Sequence, residues 1–263
     1  MRTAKEEIEF LLDFVNSSVG RAPGERLNDY RKAFAYQNIA WRYVSIYIYK
    51  SLLNISDEKD NALRNSIINS QKAIEIYPED KLSHIQPLFI AKSLLGESLL
   101  EPAKQVIEAE QINKNENISP LITMLSSIIL NDNHSLFMEM LKTHEKKKHS
   151  TVLSGSYDAI VQLLKRDEEG FIKALNSMLL AHHKKANSPS SGIYRTCYSF
   201  LSLDSYLVLA LSEFLGMNVR SKISENIQTL NVPLRFPTEF PKLPKNYKMA
   251  LSVDYLTATA NFA

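Results

Sequence analysis

The chain has 263 residues, 44% of them hydrophobic and 23% charged, with a formal net charge of +2. These values are ordinary for a globular protein and exclude a disordered chain, and the small charge argues against nucleic-acid binding by bulk electrostatics. Only 7 glycines occur, which disfavours β-rich folds because their turns need positive φ angles. A single cysteine, Cys197, excludes an internal disulfide and a multi-cysteine zinc site.

The N-terminal sequence "MRTAKEEIEFLLDFVNSS" places charged residues directly beside its apolar ones. No apolar stretch of signal-peptide length follows, and no apolar run elsewhere approaches the length of a membrane span. We therefore expect a cytoplasmic protein with no membrane partner.

Apolar residues recur at three- and four-residue steps along most of the chain, which predicts α-helices. Start and stop signals agree with these helices: Asp57 and Asp167 are suited to N-caps, and Pro78 follows a helix. The stretch "YVSIYIY" (43–49) alternates like a strand, but its helical flanks and lack of turn residues favour a helix. The predicted helices are 5–16, 27–53, 58–76, 82–95, 101–110, 120–130, 134–147, 156–165, 168–184 and 194–215.

A period of 34 residues relates two parts of the chain. The segment 129–142 aligns with 163–176, so that the two helix-capping residues Asn133 and Asp167 coincide, and 94–109 repeats the plan more loosely. A period of this size predicts paired helices that bury their apolar faces on neighbouring pairs. The spacing is that of tetratricopeptide repeats, but their Trp-Leu-Gly-Tyr pattern is absent. We expect an all-α fold built as an antiparallel helix-hairpin array.

The domain organisation follows from these elements and from two changes in composition. The stretch "ANSPSSGI" (186–193) is typical of a loop, and four prolines in 233–244 exclude a long helix there. We expect one all-helical domain, 1–263. Its parts are N-terminal helices (1–80), helix-pair repeats (81–185), a buried, nearly all-apolar helix (194–216) and an extended proline-rich tail (232–263).

Two histidines and two lysines end the stretch "LLKRDEEGFIKALNSMLLAHHKK" (163–185). His182 continues the apolar stripe of its helix and His183 lies on the flank, about 100° away, so the two imidazoles do not readily share a metal ion. Lys184 and Lys185 complement the negative end of the helix dipole. The pattern favours an ordinary helix end and predicts no metal site.

The other chemical candidates are equally weak. "HEKKKH" (144–149) has its histidines five residues apart, and Lys148 occupies the position at which a zinc-protease motif needs histidine. No aromatic residues interleave these lysines, so a solvated helix end is favoured over a nucleic-acid patch. Cys197 lies on a nearly all-apolar helix, which predicts a buried, inert thiol.

No phosphate loop, nucleophile elbow or suitably partnered carboxylate pair occurs in the sequence. We therefore expect no catalytic residues and no cofactor. An enzyme whose groups are scattered over several helices remains an open alternative.

The segment 27–53 carries two aromatic stripes on a helical wheel. One of them, assigned to the core, contains Tyr30, Phe34, Trp41, Val44 and Ile48. The other contains Tyr36, Tyr43 and Tyr47, displaced by roughly 100°. A helix near the end of an array seldom has neighbours on both faces, and tyrosine is enriched at interfaces. We therefore assign Tyr36, Tyr43 and Tyr47 to a partner-binding face. Burial of both stripes between helix layers is the alternative.

Part of the C-terminal half resembles a known family. The helix "RDEEGFIKALNSMLLAHHK" (166–184), the polar break at 186–193, the apolar helix "FLSLDSYLVLALSEFLGM" (200–217) and "VPLRFP" (232–237) resemble bacterial immunity proteins of the immunity-protein-49 type. The matching positions are His182 or His183, the loop at 186–193, Gly216 and Pro233. The resemblance covers residues 166–237, and the N-terminal half matches only in being helical.

Immunity proteins of polymorphic toxin systems bind and block a cognate toxin from the same or a kin cell. The resemblance implies that activity here, with a protein toxin as partner and no nucleic acid bound directly. A toxin acting in the cytosol, such as a nuclease or a nucleotide-modifying enzyme, fits the absence of a signal peptide. The near-neutral charge means that local patches must supply the affinity for a nuclease. The rival interpretation is a helical-repeat adaptor that holds an endogenous protein or peptide.

Overall fold

The computed structural model is all-α over the residues that it describes. These are residues 4–20, 28–53, 55–56, 58–112, 120–130, 151–186, 188–191, 196–199, 201–214, 216–217, 219 and 222. They form nine α-helices and two short 3₁₀-helices, with no strand among them. The predicted all-α helix-hairpin array is confirmed. By backbone contacts the chain divides into an N-terminal unit (1–123) and a C-terminal unit (124–263), and the single-domain organisation stays a prediction.

The described residues of the N-terminal unit form five complete α-helices, each packed on the next along the chain. The stretch 43–49, which alternates like a strand, is helical, as its flanks predict. A 3₁₀-turn, Pro78–Asp80, joins the third helix to the fourth. The five helices are α1 (Ala4–Gly20), α2 (Asp29–Leu52), α3 (Lys59–Ile76), α4 (Lys81–Leu95) and α5 (Leu100–Ile112).

Local sequence signals explain where these helices begin and end. The side chain of Asn28 caps α2 by accepting a hydrogen bond from the backbone N–H of Arg31 at 3.0 Å. Glycine at position 96 ends α4 with a φ of 78°, a left-handed conformation that costs glycine little. The amide of Glu97 then donates to the carbonyl of Lys92 at 3.0 Å. The turn between α4 and α5 is therefore encoded within a few residues.

The buried face of α3 is unusually polar. Between α2 and α4, on which it packs, it buries small and polar side chains together with a single leucine. Such side chains let helix backbones approach closely but supply little apolar area. This face consists of Ala62, Leu63, Ser66, Asn69, Ser70 and Ala73.

The two halves of α2 differ in burial. All six residues of 44–49 are buried, which requires neighbours on all sides of the helix. Helices α1, α3 and α4 pack on α2 and provide them. The N-terminal half has only one buried face, since Ala33, Ile39 and Ala40 are buried while Tyr30 and Phe34 are exposed.

The sixth helix, α6 (Pro120–Leu130), contains the boundary between the two units. Residues 121–129 are all buried, and six of them are apolar, while the other three are Thr123, Ser126 and Ser127. Proline begins the helix, where its missing N–H would have no intrahelical partner.

The C-terminal unit contains α7 (Thr151–Leu164) and α8 (Glu168–Ala186), which pack on each other across a tight turn. Asp167 is the N-cap of α8, as predicted: its Oδ1 accepts from the amide of Gly170 at 3.0 Å. Glycine suits position 170, because an added Cβ would clash with the carboxylate of Asp167 and displace the N-cap side chain. An added Cβ on Gly155 would lie 2.8 Å from the Cγ of Met178, so α7 and α8 approach closely there.

The predicted helix 194–215 is shorter than expected. Its described residues form a 3₁₀-turn, Cys197–Ser199, and an α-helix, α9 (Leu203–Phe214). Ser202 causes the break: its Oγ accepts from the amide of Ser205 at 3.3 Å, an N-cap geometry that stops the helix from extending backwards. The expected buried C-terminal helix is confirmed, since Tyr206, Leu207 and Leu211 are at most 3% exposed.

Several predicted elements lie outside the described residues. They are the helix at 134–147, the "HEKKKH" segment, the first member of the 34-residue repeat beyond Leu130, and the proline-rich tail at 232–263. Among the helices that the structure does describe, none combines the length and apolarity that crossing a membrane requires.

Candidate protein-binding surface

Large exposed hydrophobic side chains in the described ranges fall in the N-terminal unit. Four of the seven are aromatic and lie on α1 and α2, with exposed fractions of 40–51%. Solvent-exposed aromatic groups that sit close together are typical of protein-binding surfaces. The seven residues are Phe10, Phe14, Tyr30, Phe34, Leu53, Ile68 and Leu100.

The tyrosines assigned to a partner face differ in accessibility. The ring of Tyr47 is buried, with 6% exposure, whereas Tyr36 and Tyr43 are half-buried. The Nζ of Lys72 on α3 lies 5.6 Å from the centre of the Tyr36 ring. Tyr36 and Tyr43 are therefore the members that a partner can reach, and their role in binding stays a prediction.

Burial raises the pKa of both inner tyrosines of this stripe. For Tyr43 burial is the cause. For Tyr47 burial is the main cause, the hydroxyl of Ser51 opposes it and the charge of Asp60 adds to it. Both hydroxyls consequently stay protonated over the physiological pH range.

The other stripe of α2 departs from its assignment to the core. Val44 and Ile48 are buried, but Tyr30 and Phe34 are 48% and 51% exposed. These residues lie on a helix, as their spacing predicts, but the N-terminal half of α2 has fewer neighbouring helices than its C-terminal half. Sequence periodicity predicts which residues share a face of the helix. It does not predict over what length neighbouring helices bury that face.

Tyr30 and Phe34 form an aromatic cluster with Tyr77. The rings of Tyr30 and Phe34 are stacked at 6.4 Å between centres, and Tyr77, at the end of α3, meets Tyr30 edge-on at 5.5 Å. Both distances lie in the range of favourable ring pairs. The α2 aromatic cluster (Tyr30, Phe34 and Tyr77) thus joins two helices and offers a partly exposed aromatic surface.

Phe10 and Phe14 on α1 are exposed residues that periodicity alone did not single out. They lie four residues apart, on a face of α1 roughly 110° away from the buried residues Ile8, Leu11 and Val15. The sequence contained a signal for these residues. Besides the apolar stripe that α1 buries, the helix carries two further phenylalanines one turn apart.

The predicted helix end at 182–185 is partly exposed to solvent. His182 is half-buried, and Lys184 and Lys185 are exposed. Within the described parts of the chain, no three His, Cys, Asp or Glu side chains are grouped so as to hold a metal ion. Cys197 is buried, as predicted, and its thiol is not in a disulfide.

Two ionisable side chains, the fully buried His84 and the half-buried Asp204, have shifted pKa values. His84 on α4 has no exposed area, and neither ring nitrogen has a hydrogen-bond partner. Burial lowers the pKa of His84, while the charge of Asp80 opposes that shift. In the C-terminal unit, burial raises the pKa of Asp204 and the positive charge of Lys185 opposes that shift. Each of these pKa shifts makes the stability of the fold depend on pH.

Comparison of the chain with protein-family models, with curated proteins and with solved structures finds no match.

Proposed function

We propose that the chain is an immunity protein, a stoichiometric binder that neutralises a cognate toxin acting in the cytosol. The observation that carries the proposal is the partial resemblance of residues 166–237 to immunity proteins. The accessible aromatic surface of the N-terminal unit supports a protein partner. Phe10, Phe14, Tyr30 and Phe34 are each at least 40% exposed, and aromatic side chains dominate the energetics of protein interfaces.

In this proposal the protein acts by occupation of the toxin and not by chemistry. A binder of this kind needs no metal or cofactor, and its protective effect is limited by its amount. Tight binding by an interface of standard size requires a few well-packed aromatic or arginine anchors. The exposed aromatic side chains of α1 and α2 are the candidates for such anchors.

Co-purification tests the proposal. The product of the gene immediately beside this one, carrying a substitution that abolishes its toxicity, is co-expressed with tagged full-length protein. A 1:1 complex that survives size-exclusion chromatography is the expected result. Separate elution of two folded proteins contradicts the proposal.

The second candidate is an adaptor that binds an endogenous protein or peptide. The helix-hairpin architecture favours it, because arrays of helix pairs commonly present extended binding surfaces. The two functions differ in the cell. Deletion of the gene sensitises cells to the neighbouring gene product if the chain is an immunity protein, and it leaves that sensitivity unchanged if the chain is an adaptor.

A further inference from the structure

The outward side of α1 combines aromatic rings with negative charge. Phe10 and Phe14 are 42% and 40% exposed and lie one helical turn apart. Because residues four apart share a face, the two rings form one apolar strip along the helix. The buried residues Ile8, Leu11 and Val15 lie roughly 110° away from this strip around the helix. The strip therefore lies on the flank of the buried side, and its rings stay partly exposed.

Carboxylates flank the two rings. Glu6, Phe10 and Asp13 follow one another at steps of four and three residues, and Glu9 lies one turn before Asp13. All three carboxylate residues are exposed. The α1 sequence "AKEEIEFLLDFVNSSVG" contains four carboxylate residues and one lysine, in a chain whose formal net charge is +2. Helix α1 is therefore a local negative region on a protein that is positive overall.

A guanidinium group already rests on this surface. Arg42 of α2 places its Cζ 5.6 Å from the centre of the Phe14 ring, within the range of a cation–π contact. Arginine suits such a surface better than lysine, because its planar guanidinium stacks on a ring and also binds carboxylates with two parallel hydrogen bonds.

We infer that the α1 face, made of Glu6, Glu9, Phe10, Asp13 and Phe14, docks onto an arginine-rich surface of a protein partner. The phenyl rings receive guanidinium groups or the apolar stems of arginines, and the carboxylates pair with their charge. Negative potential at the rim speeds association, and the desolvated rings slow dissociation.

This inference rests on the proposed function and makes it more specific. An enzyme that binds nucleic acid or nucleotides holds phosphate groups with arginine and lysine side chains. A face that combines carboxylates with aromatic rings competes for those side chains. The α1 face therefore fits a toxin whose phosphate-binding surface is blocked directly.

A peptide titration tests the chemistry of the surface without the toxin. Full-length protein is titrated with a nona-arginine peptide and, in parallel, with a nona-lysine peptide at low salt. We expect tighter binding of the arginine peptide. We also expect the Kd for it to rise about fivefold or more in the Phe10→Ala/Phe14→Ala variant and in the Glu9→Gln/Asp13→Asn variant.

A matched control comes from α5. Leu100 is 45% exposed and Glu101 beside it is exposed, so Leu100→Ala/Glu101→Gln removes one apolar group and one charge from another surface. Its Kd should stay within about twofold of the wild type, as expected of a surface away from the contact. Equal affinity of the α1 variants and the wild type, or an equal loss in the control, overturns the inference. Circular dichroism confirms that each variant is folded.

Protection of cells separates this inference from the proposed function. If the wild type protects against the neighbouring gene product and both α1 variants lose protection, the inference is supported. If the folded α1 variants protect as well as the wild type, the α1 face is not the docking surface although the immunity function stands. If the wild type does not protect, the proposed function fails, and with it the assignment of this face to a toxin.

Discussion

Two helices, α3 in the N-terminal unit and α9 in the C-terminal unit, differ in the side chains that they bury. Helix α3 buries serine, asparagine and alanine beside a single leucine. Helix α9 buries tyrosine, valine and several leucines, together with two serines. Apolar area is the main source of stabilisation on burial. We therefore expect α9 to contribute more burial free energy, and α3 to depend on close backbone approach.

Their buried polar groups differ as well. In the α3–α4 hairpin, the hydroxyls of Ser66 and Ser70 and both nitrogens of His84 are buried with no hydrogen-bond partner. On α9, the hydroxyl of Ser212 donates to the carbonyl of Leu209 at 2.7 Å, and that of Ser202 donates to Ser205 at 2.8 Å. A buried polar group without a partner costs free energy that a paired one does not. We therefore expect the buried polar groups of the α3–α4 hairpin to cost more free energy than those of α9.

The largest expected effect is on α9. Leu211 is 3% exposed, so Leu211→Asp buries an unpaired charge and should lower the free energy of unfolding by about 3–5 kcal/mol or abolish folding. Urea denaturation followed by circular dichroism measures the loss. Ser177→Asp adds the same charge at an exposed position of α8 and should change stability by about 0.5 kcal/mol at most. Wild-type stability of Leu211→Asp would show that α9 is not part of the core.

The second effect is on α4 and depends on pH. Burial lowers the pKa of His84 below its usual 6.5. Between pH 6.5 and the lower folded-state pKa, the unfolded chain therefore binds a proton at His84 that the folded chain does not bind. The contribution of neutral His84 to the free energy of unfolding is fully present above pH 6.5. It falls on acidification, by about 1.4 kcal/mol per pH unit at most, until the folded pKa is reached.

Hydrogen exchange followed by mass spectrometry checks this prediction helix by helix. Protection of α3 and α4 amides, corrected for the intrinsic rate, should fall between pH 7 and pH 5 in the wild type. In His84→Leu that fall should be absent or much smaller. An identical pH dependence in both proteins would contradict the assigned burial of His84.

The third effect has the opposite sign. Burial raises the pKa of Asp204, so the folded state accepts a proton more readily than the unfolded state. The contribution of Asp204 to stability is therefore greatest at low pH and is lost as the pH rises through the folded pKa. Asp204→Asn should remove this dependence from the exchange of α9 amides and leave that of α3 unchanged. An equal pH dependence of α9 amide exchange in the wild type and in Asp204→Asn would contradict the prediction.

The smallest effect is a comparison of two serines. Ser66 and Ser212 both have no exposed area, but only Ser212 has a hydrogen bond. Ser66→Ala removes an unpartnered hydroxyl and should stabilise the protein by about 1 kcal/mol, whereas Ser212→Ala should destabilise it by about 0.5–1.5 kcal/mol. Thermal unfolding of the two variants measures both signs. Destabilisation of equal size in both would show that the hydroxyl of Ser66 has a partner after all.

The fold could be predicted from the sequence because its signals are local. Apolar residues at helical steps located the helices in the described ranges, and Asp167 marked the start of α8. The break before α9 was missed because apolar periodicity continues through it, while the capping geometry of Ser202 depends on a single side chain. Periodicity also could not reveal that the core-assigned residues Tyr30 and Phe34 are exposed, since burial depends on how far neighbouring helices extend along α2.

The candidate surface was harder to predict than the fold. Of the stripe Tyr36, Tyr43 and Tyr47, one ring is buried, and the most exposed aromatic side chains lie elsewhere on α1 and α2. The identity of a residue on an exposed helix face depends less on packing than that of a core residue. A single sequence therefore gives only a weak pattern from which to predict a binding surface. The significance of such residues emerges only when the exposed area and the positions of charges such as Arg42 are known.

The central claim, stoichiometric neutralisation of a protein toxin, is tested most directly by a dose experiment. The neighbouring gene product is induced at a fixed level while the full-length protein is expressed over a graded range, and both are quantified by mass spectrometry. The account predicts that growth recovers as the molar ratio approaches one and that the Phe10→Ala/Phe14→Ala variant requires a higher ratio. Full protection at one-tenth of the toxin's amount would indicate a catalytic mode of action, and no protection at any ratio would exclude this toxin as the partner.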